Sequence, residues 1–195
     1  MVKQLIVLAG GNGSGKSSFY EKYLRHQGIH FINADELAKL HFPGGTPEDS
    51  KNAQEMARKQ CEQYMAAGKN FCFETVFSHD SKIALIKEAK EKGYQVELIY
   101  LHLADAQLNQ ARVFQRVSEG GHPVPYDKIV SRIPKTMANI KQALEIVDSA
   151  RLLDNSNGQD PFAQIAIIQN QKLAHVVSPI PEWAKSLLES FLKSP

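Results

Sequence analysis

Apolar residues recur along this chain in short dense runs separated by longer stretches of helical spacing. Five runs read as strands: LIVLA (5–9), HFIN (30–33), FCFE (71–74), VELIYLHL (96–103) and ARLLDN (150–155). The first four are nearly continuous in apolar or aromatic residues, as strands covered on both faces are. The alternation of strand and helix predicts a parallel sheet with helices on both sides. A helix over 47–67 opens on Thr46-Pro47-Glu48, and another over 81–92 stops at Gly93. Met56, Cys61, Tyr64 and Met65 in the first of these read as packing residues. After Gly158 the pattern predicts a hairpin (FAQIAIIQ, then LAHVV) and a helix from Pro181 that carries Trp183, Leu187, Leu188, Phe191 and Leu192, with Trp183 as a core anchor. With no internal repeat and no linker, residues 1–195 form one expected domain, with a C-terminal hairpin and helix over 161–195.

In an open α/β sheet, ligands bind outside the carboxyl ends of the strands. Here those ends carry the glycine-rich segment after Ala9, Asn33-Ala34-Asp35, Glu74-Thr75 and Asp154-Asn155-Ser156. The first of these, Gly10-Gly11-Asn12-Gly13-Ser14-Gly15-Lys16-Ser17, fits the P-loop pattern G-x-x-x-x-G-K-[ST] at every fixed position. Glycines let successive backbone N–H groups turn toward phosphate oxygens, the lysine reaches the β- and γ-phosphates, and the serine hydroxyl helps hold Mg²⁺. The helix-like run SSFYEKYL begins at Ser17 and Ser18, so phosphate would meet a helix N-terminus. These residues predict an α/β, three-layer P-loop NTPase fold with a mostly parallel sheet. They also imply a nucleoside triphosphate with Mg²⁺, its base left open, with Gly10 to Ser18 as the nucleotide site and Ser17 on the metal. The loop Asn155–Gly158 is where adenine contacts are expected.

A P-loop alone does not separate kinases from switches and motors, which place an acidic residue after an apolar strand. The fourth run reaches Asp105 only beyond His102-Leu103-Ala104, so Asp35 and Glu74 are the better acidic candidates. One would take the proton of an attacking hydroxyl and the other would hold the acceptor or the metal shell. Asp35 has an alternative reading as the N-cap of a helix through Leu40, and Glu74 as an ordinary strand-end carboxylate. The stretch from Arg112 to Pro125, with Arg112 and Arg116 four apart and then Gly120-Gly121-His122-Pro123, reads as a helical lid over about 112–135. Arginines on a closing flap would offset charge on the transferred phosphoryl group; a solvated basic face is the alternative. His122 reads as a turn residue.

Composition narrows the partners. Lys and Arg number 23 against 21 Asp and Glu, a net charge of +2, which makes nucleic acid an unlikely main partner. Two cysteines without metal-site spacing, no secretory segment and no run long enough to span a bilayer predict a cytoplasmic protein with reduced thiols and no membrane partner.

Taken in order, GGNGSGKSS, FINADELA, FCFETV, RVFQRVSEGGHPVP, Arg132 with Asn139, and LLDNS resemble the zeta toxin family of P-loop kinases from the first strand to Gly158. The resemblance implies an ATP-dependent kinase acting on a hydroxyl, with UDP-N-acetylglucosamine as the best-known acceptor. It implies Lys16 as the phosphate-binding lysine, Ser17 on the metal, Asp35 as the base and Glu74, beside Thr75, as an acceptor-binding carboxylate. Arg116 and Arg132 would be the lid arginines, and a toxin member would have an antitoxin protein as partner. Three departures bear on the carry-over. Val76 stands where the family has a second threonine, Pro134 is expected to kink or split the lid helix near Arg132, and a compact chain leaves little extra sequence to build a large acceptor pocket. Two other readings remain: a kinase for a nucleoside, sugar or nucleic-acid end, and an ATP-gated module that grips a protein partner without transferring phosphate.

Overall fold

Side-chain alternation within the strands decides the layers. In the computed structural model, which describes residues 2–42, 44–104, 109, 112 and 125–193, one seven-stranded sheet runs in the order β2-β3-β1-β4-β5-β6-β7. Strands β1 (Lys3–Gly10), β2 (His30–Asn33), β3 (Phe71–Thr75), β4 (Tyr94–His102) and β5 (Ser149–Asp154) are parallel. Strands β6 (Ala163–Gln169) and β7 (Lys172–Val176) add an antiparallel hairpin at one edge. Leu5, Val7 and Ala9 of β1, Phe71 and Phe73 of β3, and Val96, Leu98 and Tyr100 of β4 all enter one core. Their neighbours Ile6, Leu8, Cys72, Ile99 and Leu101 enter another on the opposite face, as the two-residue period of a strand requires.

The first core is covered by α3 (Pro47–Ala66), α4 (Ser81–Glu91), α5 (Tyr126–Leu144) and α6 (Glu182–Leu192). Among the described residues the second is covered more thinly. Helix α1 (Lys16–Phe19) continues as a π turn over Tyr20–Leu24 and a 3-10 turn over Arg25–Gln27, and supplies Phe19, Tyr20 and Leu24. Helix α2 (Ala34–His41), short and mostly exposed, packs Ala34 and Leu37 against the first core instead. The Thr46 start signal is a full capping box: the Thr46 hydroxyl accepts from Asp49 N–H and the Asp49 carboxylate accepts from Thr46 N–H.

Pro134 does not split the helix that carries Arg132. α5 is continuous over nineteen residues with Pro134 inside it. The missing N–H at position 134 removes the helical bond to the Val130 carbonyl, on a residue that is 41% exposed. The same helix is tied to the sheet edge of the site: Thr136 Oγ1 donates to the Val76 carbonyl (3.0 Å) and Asn139 Nδ2 to the Phe77 carbonyl (3.1 Å). Among the described residues no helix is long and apolar enough to cross a membrane.

Candidate active site

The P-loop leaves the carboxyl end of β1 between β3 and β4, where the strand order reverses direction around β1. Its turn depends on backbone only glycine adopts freely. Gly13 and Gly15 have φ of 78° and 95°, and a Cβ on Gly15 would lie 2.5 Å from Asn155 Nδ2. Lys16 opens α1 and is only 6% exposed; its Nζ donates to the carbonyls of Gly10 (2.8 Å) and Gly11 (3.0 Å). Gly11, Asn12 and Ser14 complete the loop, with Ser14 fully buried, while Ser18 is exposed on the first turn of α1.

Sheet register brings the acidic residues to the loop. Asn33 on β2 pairs with Glu74 on β3, and Leu8 of β1 pairs with Glu74 from the other side. Glu74 therefore lies beside the P-loop: Ser17 Oγ donates to Glu74 Oε2 (3.0 Å), Asn33 Nδ2 donates to the same oxygen (2.9 Å), and Lys16 Nζ is 3.8 Å from Oε1. The capping reading of Asp35 is corrected here. Asn33 is the N-cap of α2, its Oδ1 accepting from Asp35 N–H (2.7 Å) and Glu36 N–H (3.4 Å), because its extended backbone sits one residue before the helix. Asp35 occupies the first turn and its side chain lines the cleft. Burial, and then the charge of Glu74, push the Glu36 carboxyl above the usual carboxylate range. Thr75 Oγ1 accepts from Phe77 N–H (3.0 Å), which fixes the turn after β3, where Phe77 takes a φ of 65°.

A cleft of about 530 Å³ opens in front of these groups. It is walled by Asn12 and Lys16, by Asn33, Asp35, Glu74 and Thr75, by Pro47, Ser50, Lys51 and Gln54 of α3, by Val76 to His79 and Lys82, and by Lys128 and Arg132 of α5. That volume, which includes the P-loop side of the cleft, is in the ordinary range for small-molecule sites. Arg132 reaches the P-loop, donating from Nη1 to Asn12 Oδ1 (3.2 Å). Arg112 Nη2 donates to the Asn155 carbonyl (3.0 Å), and Asn155 Nδ2 to the Ser14 carbonyl (2.9 Å), which fastens the loop expected to meet adenine onto the P-loop. Arg116, His122, Asp105 and the Gly120-Gly121 turn lie outside the described residues.

Three asparagines have roles beyond those the sequence assigns them. Asn33 had a signal, since an asparagine two residues before Asp-Glu at a strand end is a capping pattern. Asn155, expected in the loop that meets the base, instead ties that loop to the Ser14 carbonyl. Asn109, which donates from Nδ2 to the Asn12 carbonyl (2.8 Å), belongs to no motif. Behind the P-loop, a cavity of about 20 Å³ touches Asn12, Asn109, His102, Arg132 and Thr136, room for one water. The His102 ring stacks on Trp183 (4.1 Å between centroids) and its Nδ1 lies 3.3 Å from the Tyr100 hydroxyl. Burial pushes His102 down to about 4. Trp183 Nε1 donates to Asp154 Oδ2 (3.1 Å), so Trp183 anchors α6 to the end of β5.

The geometry has relatives. An uncharacterized protein of Haemophilus influenzae is 30% identical over 137 residues, covering 68% of this chain and 94% of that protein. Among solved structures, the AvrRxo1-ORF1:-ORF2 complex crystallised with ATP superposes with a TM-score of 0.71 at 19% identity over 97% of this chain. This chain spans 63% of that one. The PezAT chromosomal toxin–antitoxin system of Streptococcus pneumoniae gives a TM-score of 0.67 at 19% identity, covering 99% of this chain and 88% of that chain. Shikimate kinase from Acinetobacter baumannii, crystallised with shikimate, gives 0.53 at 13% identity over 80% of this chain and 85% of its own. These structural likenesses concern the fold. The family model for Zeta toxin matches residues 2–172, from β1 through the P-loop, both strand-end carboxylates and α5 to the hairpin; the chain belongs to the zeta toxin family of P-loop phosphotransferases.

Proposed function

We propose that this protein transfers the γ-phosphate of ATP to a hydroxyl of a small molecule, with UDP-N-acetylglucosamine or a related nucleotide sugar as acceptor. The observation that carries this reading is that Lys16, Asp35, Glu74 and Arg132, drawn from four separate elements, wall one cleft. A switch has no need of a cavity of this size beside its γ-phosphate position.

Lys16, already held among P-loop carbonyls, moves its ammonium onto the β- and γ-phosphate oxygens when nucleotide binds. The Ser17 hydroxyl beside the Glu74 carboxylate is a hard oxygen donor set, which fits Mg²⁺ held mainly by phosphates and a few protein oxygens. Bound there, Mg²⁺ supplies charge neutralisation at the phosphates. Asp35 accepts the proton of the acceptor hydroxyl as its oxygen bonds to the γ-phosphorus and the bond to the β–γ bridging oxygen breaks, leaving ADP. Arg132, steered by Asn12, offsets the charge on the transferred group, and Arg116 shares that role. Glu74, fixed by Ser17 and Asn33, orients the acceptor.

The test is mass spectrometry of UDP-N-acetylglucosamine incubated with ATP, Mg²⁺ and the protein. A product one phosphoryl group heavier, absent with Lys16→Ala and with Asp35→Asn although the latter still binds ATP, supports the assignment. Normal turnover by Asp35→Asn removes Asp35 as base. The toxin–antitoxin setting of the pneumococcal relative also makes a neutralising protein partner part of the proposal, tested by co-purification with the product of an adjacent gene.

A further inference from the structure

The cleft carries more positive charge than phosphoryl transfer alone needs. Its walls hold Lys16, Lys51, Lys82, Lys128 and Arg132 against the carboxylates Asp35 and Glu74. Lys16 belongs to the P-loop and Arg132 bonds to it, so both are accounted for by the γ-phosphate. The other three ammonium groups come from three different helices, α3, α4 and α5, and lie away from the P-loop in sequence and in bonding.

Lys82 is the most constrained of them. It sits in the first turn of α4, half-buried, with its Nζ 5.2 Å from the centre of the Phe73 ring. Among the described residues its ammonium has no carboxylate partner. Burial pushes its pKa below the ordinary lysine range, and the nearby Arg58 charge pushes the same way. Holding a desolvated cation beside another cation is unfavourable, and the Phe73 ring offsets only part of that. A leucine or methionine would pack on Phe73 without the penalty, so the charge itself serves a purpose at the cleft wall. Compact ammonium donors on several elements of one cleft suit the tetrahedral, multiply charged oxygens of a phosphate better than a planar carboxylate, which an arginine fork fits.

Resting on the kinase reading of the cleft, we propose that Lys82 binds a phosphate of the acceptor and selects phosphorylated acceptors over neutral ones. Lys51 and Lys128 share that phosphate from the facing helices. Val76, in the turn leading to α4, gives this wall an apolar side chain where the family pattern has a hydroxyl, which leaves acceptor recognition here more dependent on charge.

The experiment is calorimetric titration of the protein, saturated with a non-hydrolysable ATP analogue and Mg²⁺, with UDP-N-acetylglucosamine, N-acetylglucosamine 1-phosphate and N-acetylglucosamine. Lys82→Met is expected to weaken binding of the two phosphorylated compounds by about 10- to 100-fold, the range for losing one charge-assisted hydrogen bond. It should leave the neutral sugar and the affinity for the ATP analogue as in wild type, and Lys82→Arg should restore most of the loss. Melting curves of both variants separate lost binding from lost folding, with Lys82→Gln as a further variant if methionine lowers stability. Wild-type binding of the phosphorylated compounds by Lys82→Met, equal affinity of the wild type for sugar and sugar phosphate, or no binding of either phosphorylated compound overturns the proposal. Failure of ATP to phosphorylate a bound acceptor overturns the kinase reading instead and leaves the binding comparison standing.

Discussion

Asn33 performs two jobs that single substitutions can pull apart. Its Oδ1 caps α2 and its Nδ2 holds Glu74 at 2.9 Å, with the Glu74 side chain only 8% exposed. Serine is as good a cap as asparagine but does not offer an amide N–H in the same place. Asn33→Ser should therefore lose only the bond to the carboxylate, about 1.5 to 3 kcal/mol for a hydrogen bond to a charged group. Asn33→Ala loses the cap as well, about 1 kcal/mol more. For a chain of this size each kcal/mol shifts Tm by roughly 2 to 4 °C, so serine should lower it by about 3 to 12 °C and alanine by a few degrees further. Asn33→Asp keeps the cap and sets a second carboxylate against Glu74. Two charges about 4 Å apart at an effective dielectric of ~20 repel by about 4 kcal/mol. The aspartate variant should therefore be less stable than serine at pH 8 and recover as the pair takes up a proton on acidification. In all three, freeing Glu74 should raise KM for the acceptor more than KM for ATP. Differential scanning calorimetry across pH, paired with steady-state kinetics, reads both effects. A serine variant as stable as wild type, or an aspartate variant no less stable than serine at pH 8, would refute the account of Asn33 as the tether of Glu74.

Burial lowers the His102 pKa to about 4 while the unfolded value stays near 6.5. The unfolded chain thus binds the proton first, and stability should fall as pH drops from about 6.5 to about 4, by up to roughly 3 kcal/mol. His102→Gln should flatten that slope in urea titrations, and an unchanged slope would show that other groups set it. Gly15→Ala forces a Cβ to 2.5 Å from Asn155 Nδ2 at a φ of 95°, so nucleotide affinity should collapse by about 100-fold or more, measured by fluorescent-analogue binding. Wild-type affinity would show that the loop relaxes. Arg132→Ala should cut kcat by about 10³-fold with little change in ATP affinity, in line with arginines that act on the transferred phosphoryl group. An equal loss in affinity would mean that Arg132 serves binding instead.

The strands and the P-loop were legible because both obey short-range rules. Alternating burial in β1, β3 and β4 follows from a two-residue period, and the glycine pattern follows from phosphate geometry. Glu74 was legible for the same reason: a charge directly after three buried residues has to be paired or used. What the sequence did not yield depends on contacts between distant segments. Nothing local says that Asn109 meets the Asn12 carbonyl, or that Arg132 meets Asn12 across 120 positions of chain. Pro134 misled because the local rule treats its lost hydrogen bond as fatal, whereas buried Ile129, Ile140, Ala143 and Leu144 hold the helix along its other face. Lys82 carried no motif at all, and only the cavity around it shows what it faces.

Both native cysteines are buried, Cys61 and Cys72 at 0% exposure, and burial pushes both thiols up, Cys61 to about 12. At neutral pH neither presents a thiolate to an alkylating reagent. The protein is therefore ready for site-specific labelling without prior removal of its own thiols. A cysteine placed at exposed Val130, on the solvent side of α5, would take a fluorophore or spin label alone. The surroundings of that helix could then be followed during turnover, in a protein otherwise unaltered.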